Sequence, residues 1–331
     1  MTSSDLQQSR LAQLDASSLR KIRRSSICVS PDRARAAYIL DPGTAVVDGL
    51  AGPAFESVQG LCFSPDGSRA AYVATAGSSR RVVVQGMAGT TTIDPEVDDV
   101  LSPVTFSADG GNYSYTARVG GHYRVMVDQE CMHEQPFAVG YDAMIDAPGP
   151  RYERPVVWSD ETRAEVEAMN QRIAAFQSGQ RVMGPGGLHW IHAKERPVAS
   201  SGAWTIVVDG LLSQRYAEVE GPVFSADGDS VAYWAKEKQA DQESIVLNGR
   251  TGPVFSSIAR LMPFGLRACF APRSHRLLYQ AMRRMRWHVV VDGEPGPEFD
   301  WVGDLDLAAD GSRVGFPAIV ENEIRWIVLS W

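Results

Sequence analysis

Seven recurrences of one short phrase predict an all-β fold, a seven-bladed β-propeller, with six blades as the alternative. Three observations carry this reading. A turn of the form Ser-Pro-Asp-Gly or Ser-Ala-Asp-Gly returns at a period of tens of residues, as in Phe63-Ser64-Pro65-Asp66-Gly67, Phe106-Ser107-Ala108-Asp109-Gly110 and Phe224-Ser225-Ala226-Asp227-Gly228. A strand-like run holding an aromatic follows each turn, as in Ala71-Tyr72-Val73 and Val231-Ala232-Tyr233. A valine-rich run comes next and often ends in Asp-Gly or Asn-Gly, as in Ile245-Val246-Leu247-Asn248-Gly249.

The repeats are anchored at Asp32, Asp66, Asp109, Asp160, Asp227, Arg273 and Asp310. Asp-Gly tolerates the positive φ of a tight hairpin, and Pro pre-sets φ at turn entry. A fourth strand per repeat is predicted after the valine run, at Phe55-Glu56-Ser57-Val58 and Phe299-Asp300-Trp301-Val302. Three residues before each anchor stands a large apolar residue: Val29, Phe63, Phe106, Trp158, Phe224, Phe270 and Leu307. Cys28, Cys62 and Cys269 each precede that column and read as small buried hydrophobes rather than metal ligands.

The fourth repeat departs from the pattern. After Asp160 comes a stretch rich in Glu, Ala, Arg and Gln, with Val166, Met169, Ile173 and Phe176 at helical spacing. It predicts an inserted helix within residues 161–186, inside the first hairpin of blade four. The pattern resumes at His189-Trp190, where His189 takes the place of Ala71 and Trp190 that of Tyr72. The reading places a propeller domain over residues 19–331, behind a segment 1–18 with a short helix from Asp5 to Leu14 capped by Ser4. The ring is expected to close by pairing a strand at about 19–24 with the C-terminal strand at about 324–330. An unpaired edge there would invite aggregation.

Composition bounds the function. The chain has 331 residues, 44% of them hydrophobic, and a formal net charge of −8. An acidic surface disfavours nucleic-acid partners. No apolar run approaches a membrane span and no signal peptide is predicted, so the expectation is a cytoplasmic protein without membrane contact. No spacing of His, Cys or Asp forms a metal motif, and neither a phosphate-binding loop nor a dinucleotide fingerprint occurs, so no cofactor is expected.

The Ser-Pro-Asp-Gly turn followed by an aromatic strand resembles the bacterial TolB-like, or PD40, propeller repeats, over about residues 19–331. The resemblance implies the fold and says less of function. Family members include periplasmic interaction proteins, and related blades form the propellers of prolyl-oligopeptidase-type enzymes. This chain has no Gly-x-Ser-x-Gly nucleophile elbow.

In such a fold the loops between blades, and those between strands two and three, share one face around a channel mouth. The sequence puts Arg151, Tyr152, Arg154, His122, Arg267, Arg283, Arg286 and Asp306 there as candidate ligand-binding residues, with the ligand anionic. Glu153 and Asp304 are the candidate bases. The alternative for the whole set is solvated loop charge. Trp204 and Trp287 open third strands, where a ring can stack on a ligand. Two functions follow. One is a non-catalytic binding or scaffold protein, with a small ligand at the mouth or a protein partner on Val166, Met169, Ile173 and Phe176. The other is a small-molecule lyase, isomerase or hydrolase at the same mouth.

Overall fold

The computed structural model describes residues 6–136, 171, 174–176, 178–187, 189–196, 203–237, 242–261, 265–266, 268–273 and 276–331. The chain divides into two compact units, one of Gln8–Val157 and Ile319–Trp326, the other of Met1–Gln7, Trp158–Ala318 and Ile327–Trp331.

The architecture is all-β. Among the described residues, seven antiparallel sheets each have a path of four strands, and a separate two-stranded ladder joins Arg260–Leu261 to Gly265–Leu266. The first sheet runs Ile22–Val29, Ala36–Leu40, Thr44–Val47, Leu50–Ala54, and the second Ser57–Phe63, Arg69–Ala76, Ser79–Gly86, Thr91–Ile93. The third holds Tyr113–Val119, His122–Val127 and Glu130–Pro136 behind a split first strand, Asp99–Val100 and Thr105–Phe106. The fourth runs Val182–Met183, Trp190–Arg196, Ala203–Val208, Leu211–Tyr216, and the fifth Glu218–Phe224, Val231–Lys236, Glu243–Leu247, Arg250–Phe255. In the sixth, Ser257–Ile258 and Ala268–Phe270 precede Leu277–Arg283, Arg286–Val291 and Glu294–Pro295. The seventh has the order Leu6–Gln13, Glu323–Ser330, Arg313–Val320, Trp301–Val302, with Asp306–Leu307 also on Arg313–Val320.

The recurring turn is a small hydrogen-bonded cycle. Ser64 Oγ donates to Asp66 Oδ1 at 2.5 Å and accepts from Arg69 N at 3.0 Å, while Asp66 Oδ1 accepts from Ser68 N at 3.1 Å. The same cycle forms at Ser30/Asp32, Ser107/Asp109 and Ser225/Asp227. Donors aimed at the carboxylate favour its charged form. The bonds from Ser64 and Ser68 hold Asp66 down to about 2, and Asp32, Asp109 and Asp310 are lowered for the same reason. The valine run ends in a second tight turn, with φ of +52° and +78° at Asp48-Gly49 and +49° and +85° at Asp209-Gly210. Positive φ at both central residues marks a twisted two-residue hairpin, which explains Asp-Gly there.

Three seams between successive sheets, among the described residues, hold one aromatic pair each. The last residue of an outer strand meets the aromatic of the next sheet's second strand edge to face: Phe255 on Tyr279 at 6.2 Å and Tyr216 on Tyr233 at 6.3 Å. Phe299 on Phe316 repeats the arrangement at 5.6 Å. Such pairs add to what area burial supplies. Around them lie continuous cores. Ile39 and Val47 join Val58, Tyr72 and Val83, and Ile191 and Ile206 join Tyr233 and Val246.

Three residues before the outer-strand aromatic, the chain passes close to that neighbouring ring. A Cβ on Gly52 would stand 2.7 Å from the Tyr72 hydroxyl, so glycine is required for the approach. Gly252 and Gly296 hold the same place, Asp94 holds it in the second sheet and Ser213 in the fourth. Asp94 accepts a hydrogen bond from Tyr113 Oη of the third sheet, and burial raises its carboxyl.

The structure corrects several sequence expectations. The fourth strand is Leu50–Ala54, and Ser57 onward already belongs to the next sheet. The strand on the C-terminal one is Leu6–Gln13, not 19–24. It is a polar edge, tied by Gln13 to the Asn322 carbonyl and by Arg325 to Gln8. Residues Ala16–Lys21 form the short helix, capped by Asp15 accepting from Ser18 N at 2.7 Å, so the helix predicted over Asp5 to Leu14 is a strand for most of its length. Ile22 and Ile27 are buried, and their apolar side chains commit 22–29 to an inner strand.

The fourth repeat also shifts. Its first strand is Val182–Met183 and its turn is Gly184 to His189, with Gly184 N bonded to His189 O as Ser64 N is to Arg69 O. Residues 174–176 are helical and precede that strand, so they do not interrupt the first hairpin. Asp160 and half of 161–186 lie outside the described residues. The register moves by two as well. Ile191 faces Val208 as Ala71 faces Val84, so His192, not Trp190, takes the Tyr72 column, and His189 takes the column of Arg69.

Candidate functional site

Of the predicted site residues, Arg151, Tyr152, Glu153, Arg154 and Arg267, together with Val166, Met169 and Ile173, lie outside the described residues. Phe176 is described and fully buried, packed with Val182, Ile191 and Tyr233, so it is core rather than a partner-binding surface. The other candidates are engaged locally. Arg286 pairs with Asp300, and Arg283 donates to Val254 O at 2.9 Å with its guanidinium 4.8 Å from the Phe255 ring. His122 Nδ1 lies 3.3 Å from Gly120 O and 3.9 Å from Glu134. Asp304 and Asp306 are exposed, Asp306 standing on the strand paired to Gly315.

One arrangement has the look of a catalytic dyad: His189 Nδ1 and Asp209 Oδ2 are 2.6 Å apart. The repeats identify it as structural. The residue ahead of the second strand pairs with the residue closing the third in the first sheet (Arg35 and Asp48), the third (Asn112 and Asp128) and the sixth (Arg276 and Asp292). The other oxygen of that acceptor takes the second strand's first N–H, from Trp190 to Asp209 Oδ1 at 2.9 Å and from Leu277 to Asp292 Oδ1 at 2.8 Å. His189 fills a scaffold position.

The cysteines fill scaffold positions too. Burial pushes the Cys62 and Cys269 thiols up to about 11, which removes thiolate chemistry near neutral pH. Among the described residues, no group of three or more His, Cys, Asp and Glu gathers to hold a metal.

Two cavities open in the seam between the fourth and fifth sheets, at opposite ends of the strands. The loop-side cavity, 350 Å³, lies where Trp190–Arg196 and Ala203–Val208 are joined, and is lined by Trp204, Trp234, Glu218, Glu220 and Phe176. Trp204 and Val219 face this seam, whereas Trp234 borders the cavity from a side chain buried on the other face of its sheet, among Phe255, Ile258 and Tyr279. Trp204 opens the third strand opposite Glu195, and Glu220 is the register partner of Trp234. Trp234 is held by its Nε1 donating to Glu243 Oε2 at 3.0 Å. Lys236 Nζ lies 3.9 Å from Glu218, so a positively charged group already stands at this edge, and the Trp204 ring beside Glu218 and Glu220 suits one, because ring face and carboxylate both attract it.

The turn-side cavity, 480 Å³, is lined by His189, Asp209, Ser213, Asp229 and Tyr233, with Leu211 and Leu212 at its rim. Sequence reasoning reached Trp204 but missed this second opening. Its signal was Ser213-Gln214 standing where other repeats carry Gly-Pro.

No protein-family model matches the chain, and no curated protein matches its sequence. Solved structures do. The β-propeller domain of the Trilobed protease from Pyrococcus furiosus is 11% identical, with 93% of this chain and 95% of that one covered and a TM-score of 0.30. The Dos1 propeller is 9% identical over 97% and 94%, TM-score 0.34. TolB from Acinetobacter baumannii is 12% identical over 91% of this chain, which spans 62% of that one, TM-score 0.24. All three are β-propellers or carry one, and at such scores they lend no residue roles to this chain.

Proposed function

We propose that the chain is a TolB-like, seven-bladed β-propeller, each sheet one blade and Leu6–Gln13 the strand that closes the ring. It acts as a non-catalytic binding protein whose ligand seats in the loop-side cavity between blades four and five. The observation that carries this is Trp204 standing with Glu218 and Glu220 at one opening. The described candidate catalytic and anion-binding groups favour no reaction and no anion. His189 and Asp209 serve the hairpin, and Arg283 and Arg286 are taken up by Phe255 and Asp300. The cavity's chemistry suits a cationic group, an ammonium or guanidinium, on a small ligand or a protein partner.

A thermal-shift comparison tests the reading. Tetramethylammonium, spermidine and Nα-acetyl-lysine amide are expected to raise the melting temperature of the wild type but not of Trp204→Ala. Citrate and inorganic phosphate are expected to leave both unchanged beyond their effect as salts. Stabilisation by the anions alone, or by the cations equally in both proteins, contradicts it.

A further inference from the structure

The turn-side cavity arises where the repeat changes two of its seam residues at once. In the first sheet Arg35 crosses the seam. Its Nε lies 2.6 Å from Asp48 of its own sheet, its Nη1 bonds the Gly67 carbonyl in the next sheet's turn, and its guanidinium rests 5.3 Å from the Phe63 ring. Arg69 does the same to the Gly110 carbonyl and the Phe106 ring. Arg276 sits on Asp292, the counterpart of Asp48 in the sixth sheet. In the fourth sheet this position is His189, which binds Asp209, the counterpart of Asp48. An imidazole is too short to span as a guanidinium does. The facing turn, meanwhile, gains a carboxylate: Asp229 stands where the second sheet has Ser68. Asp229 has no salt-bridge partner among the described residues, and it lines the cavity with Asp209.

The second change is Ser213 in place of the close-approach glycine. With glycine, the outer strand lies on the neighbouring tyrosine. With serine, a side chain stands between, its Oγ accepting from Ile206 N at 3.0 Å and donating to Gln214 O at 2.7 Å. Tyr233 lines the opening. Its hydroxyl is buried near Ser213 and Tyr216 but makes no hydrogen bond of standard geometry. Tyr72 and Tyr279 share that condition, but glycines cover or approach their hydroxyls.

The rim is an open strand edge. Leu211–Tyr216 is the outermost strand of its sheet, with Leu211 77% and Leu212 58% exposed. Four other outer segments carry a proline beside the close-approach residue, at Pro53, Pro95, Pro253 and Pro297, while Glu130–Pro136 has Met132-His133 there, and proline blunts an edge by removing an N–H. This strand has none. An unblunted edge next to a side-chain cavity is how β-strand addition recognises a peptide, the backbone giving affinity and the cavity specificity.

We propose that the turn-side cavity accepts an arginine side chain from an extended peptide segment of a partner protein, which adds to the Leu211–Tyr216 edge as a fifth strand. The guanidinium takes up between Asp209 and Asp229 the role that Arg35 and Arg69 play within the chain. This second site goes beyond the loop-side cavity and shares no residue with it, so the two readings fail separately.

The test is fluorescence polarisation of the full chain with a labelled Thr-Val-Arg-Val-Thr peptide. The arginine peptide is expected to bind about tenfold tighter than its glutamine counterpart and severalfold tighter than the lysine one, because a bidentate fork outperforms a point charge. Asp229→Asn is expected to weaken the arginine peptide about fivefold or more and leave the glutamine peptide unchanged. His189→Arg supplies the missing guanidinium from within and is expected to abolish binding without lowering the melting temperature. Trp204→Ala is expected to bind as wild type. Equal binding of the arginine and glutamine peptides, no binding at about 1 mM, or unaltered binding to His189→Arg overturns the proposal.

Discussion

Asp209 holds His189 at 2.6 Å through Oδ2 and the Trp190 backbone N–H at 2.9 Å through Oδ1, so one carboxylate fixes both the entry to the second strand and the exit from the third. A catalytic dyad would lose function without either partner. A hairpin clamp depends on the carboxylate. Asp209→Ala is expected to cost about 1–3 kcal/mol in denaturant melts, because it orphans a backbone donor. His189→Ala is expected to cost well under half as much, since its side chain is one-third exposed. Equal losses would contradict the clamp.

The Tyr72 and Tyr279 hydroxyls are buried without hydrogen-bond partners. Burial also pushes the Tyr72 phenol up to about 12. Each ring contributes through packing, and its oxygen contributes only a desolvation cost. Tyr72→Phe and Tyr279→Phe are therefore expected to leave stability unchanged or raise it by up to about 1 kcal/mol. A loss comparable with that of a normal buried hydrogen bond in either variant would show that the hydroxyl is satisfied in solution.

Asp94 is buried, with its carboxyl raised by desolvation. The folded chain then binds that proton more tightly than the unfolded chain does. The carboxyl's contribution is most favourable below the ordinary carboxylate range, falls as pH rises through the raised folded value, and is flat above it. Asp94→Asn, which keeps an acceptor for Tyr113, is expected to melt higher than wild type at pH 7, with the gap closing towards pH 4. A wild type that melts higher at pH 7 would contradict the assignment.

Asp66 has the opposite sign. Its folded value of about 2 lies below the ordinary 3.8, so its contribution is present above pH 4 and fades as pH falls towards 2. Asp66→Asn is expected to melt lower than wild type at pH 7, and the two are expected to converge over that acid window. Parallel curves from pH 7 to pH 2 would mean that the turn's stability is not carried by the ionised carboxylate.

The legible parts of the sequence were those with turn chemistry. Ser64-Pro65-Asp66-Gly67 and its copies gave away four of the seven turns, because the cycle needs a hydroxyl and a carboxylate at fixed offsets, and Ala271-Pro272-Arg273 and Ala308-Ala309-Asp310-Gly311 showed two more by the residues that remain. The fourth turn, Gly184-Pro185-Gly186-Gly187, has neither side chain and closes the same backbone bond, Gly184 N to His189 O, with positive φ at both Gly186 (+68°) and Gly187 (+70°), where the four turns with the cycle have it only at the second position. Val157-Trp158-Ser159-Asp160 imitates the lost signal, which is why the anchor was placed there. The strand Leu6–Gln13 was hidden for another reason: five of its eight residues are exposed, so no alternation of apolar residues marks it. For the candidate site, Trp204 was visible as an aromatic opening a strand. Its convergence with Glu218 and Glu220 depends on register across a seam, which no local pattern encodes.

The most direct measurement of the central claim is a tryptophan-fluorescence titration of wild type and Trp204→Ala with tetramethylammonium, with citrate at matched ionic strength as the control. A saturable change in the wild type, absent from Trp204→Ala and absent with citrate, is the predicted result. A saturable response to citrate, or a tetramethylammonium response that survives Trp204→Ala, would contradict a cation-binding cavity between blades four and five.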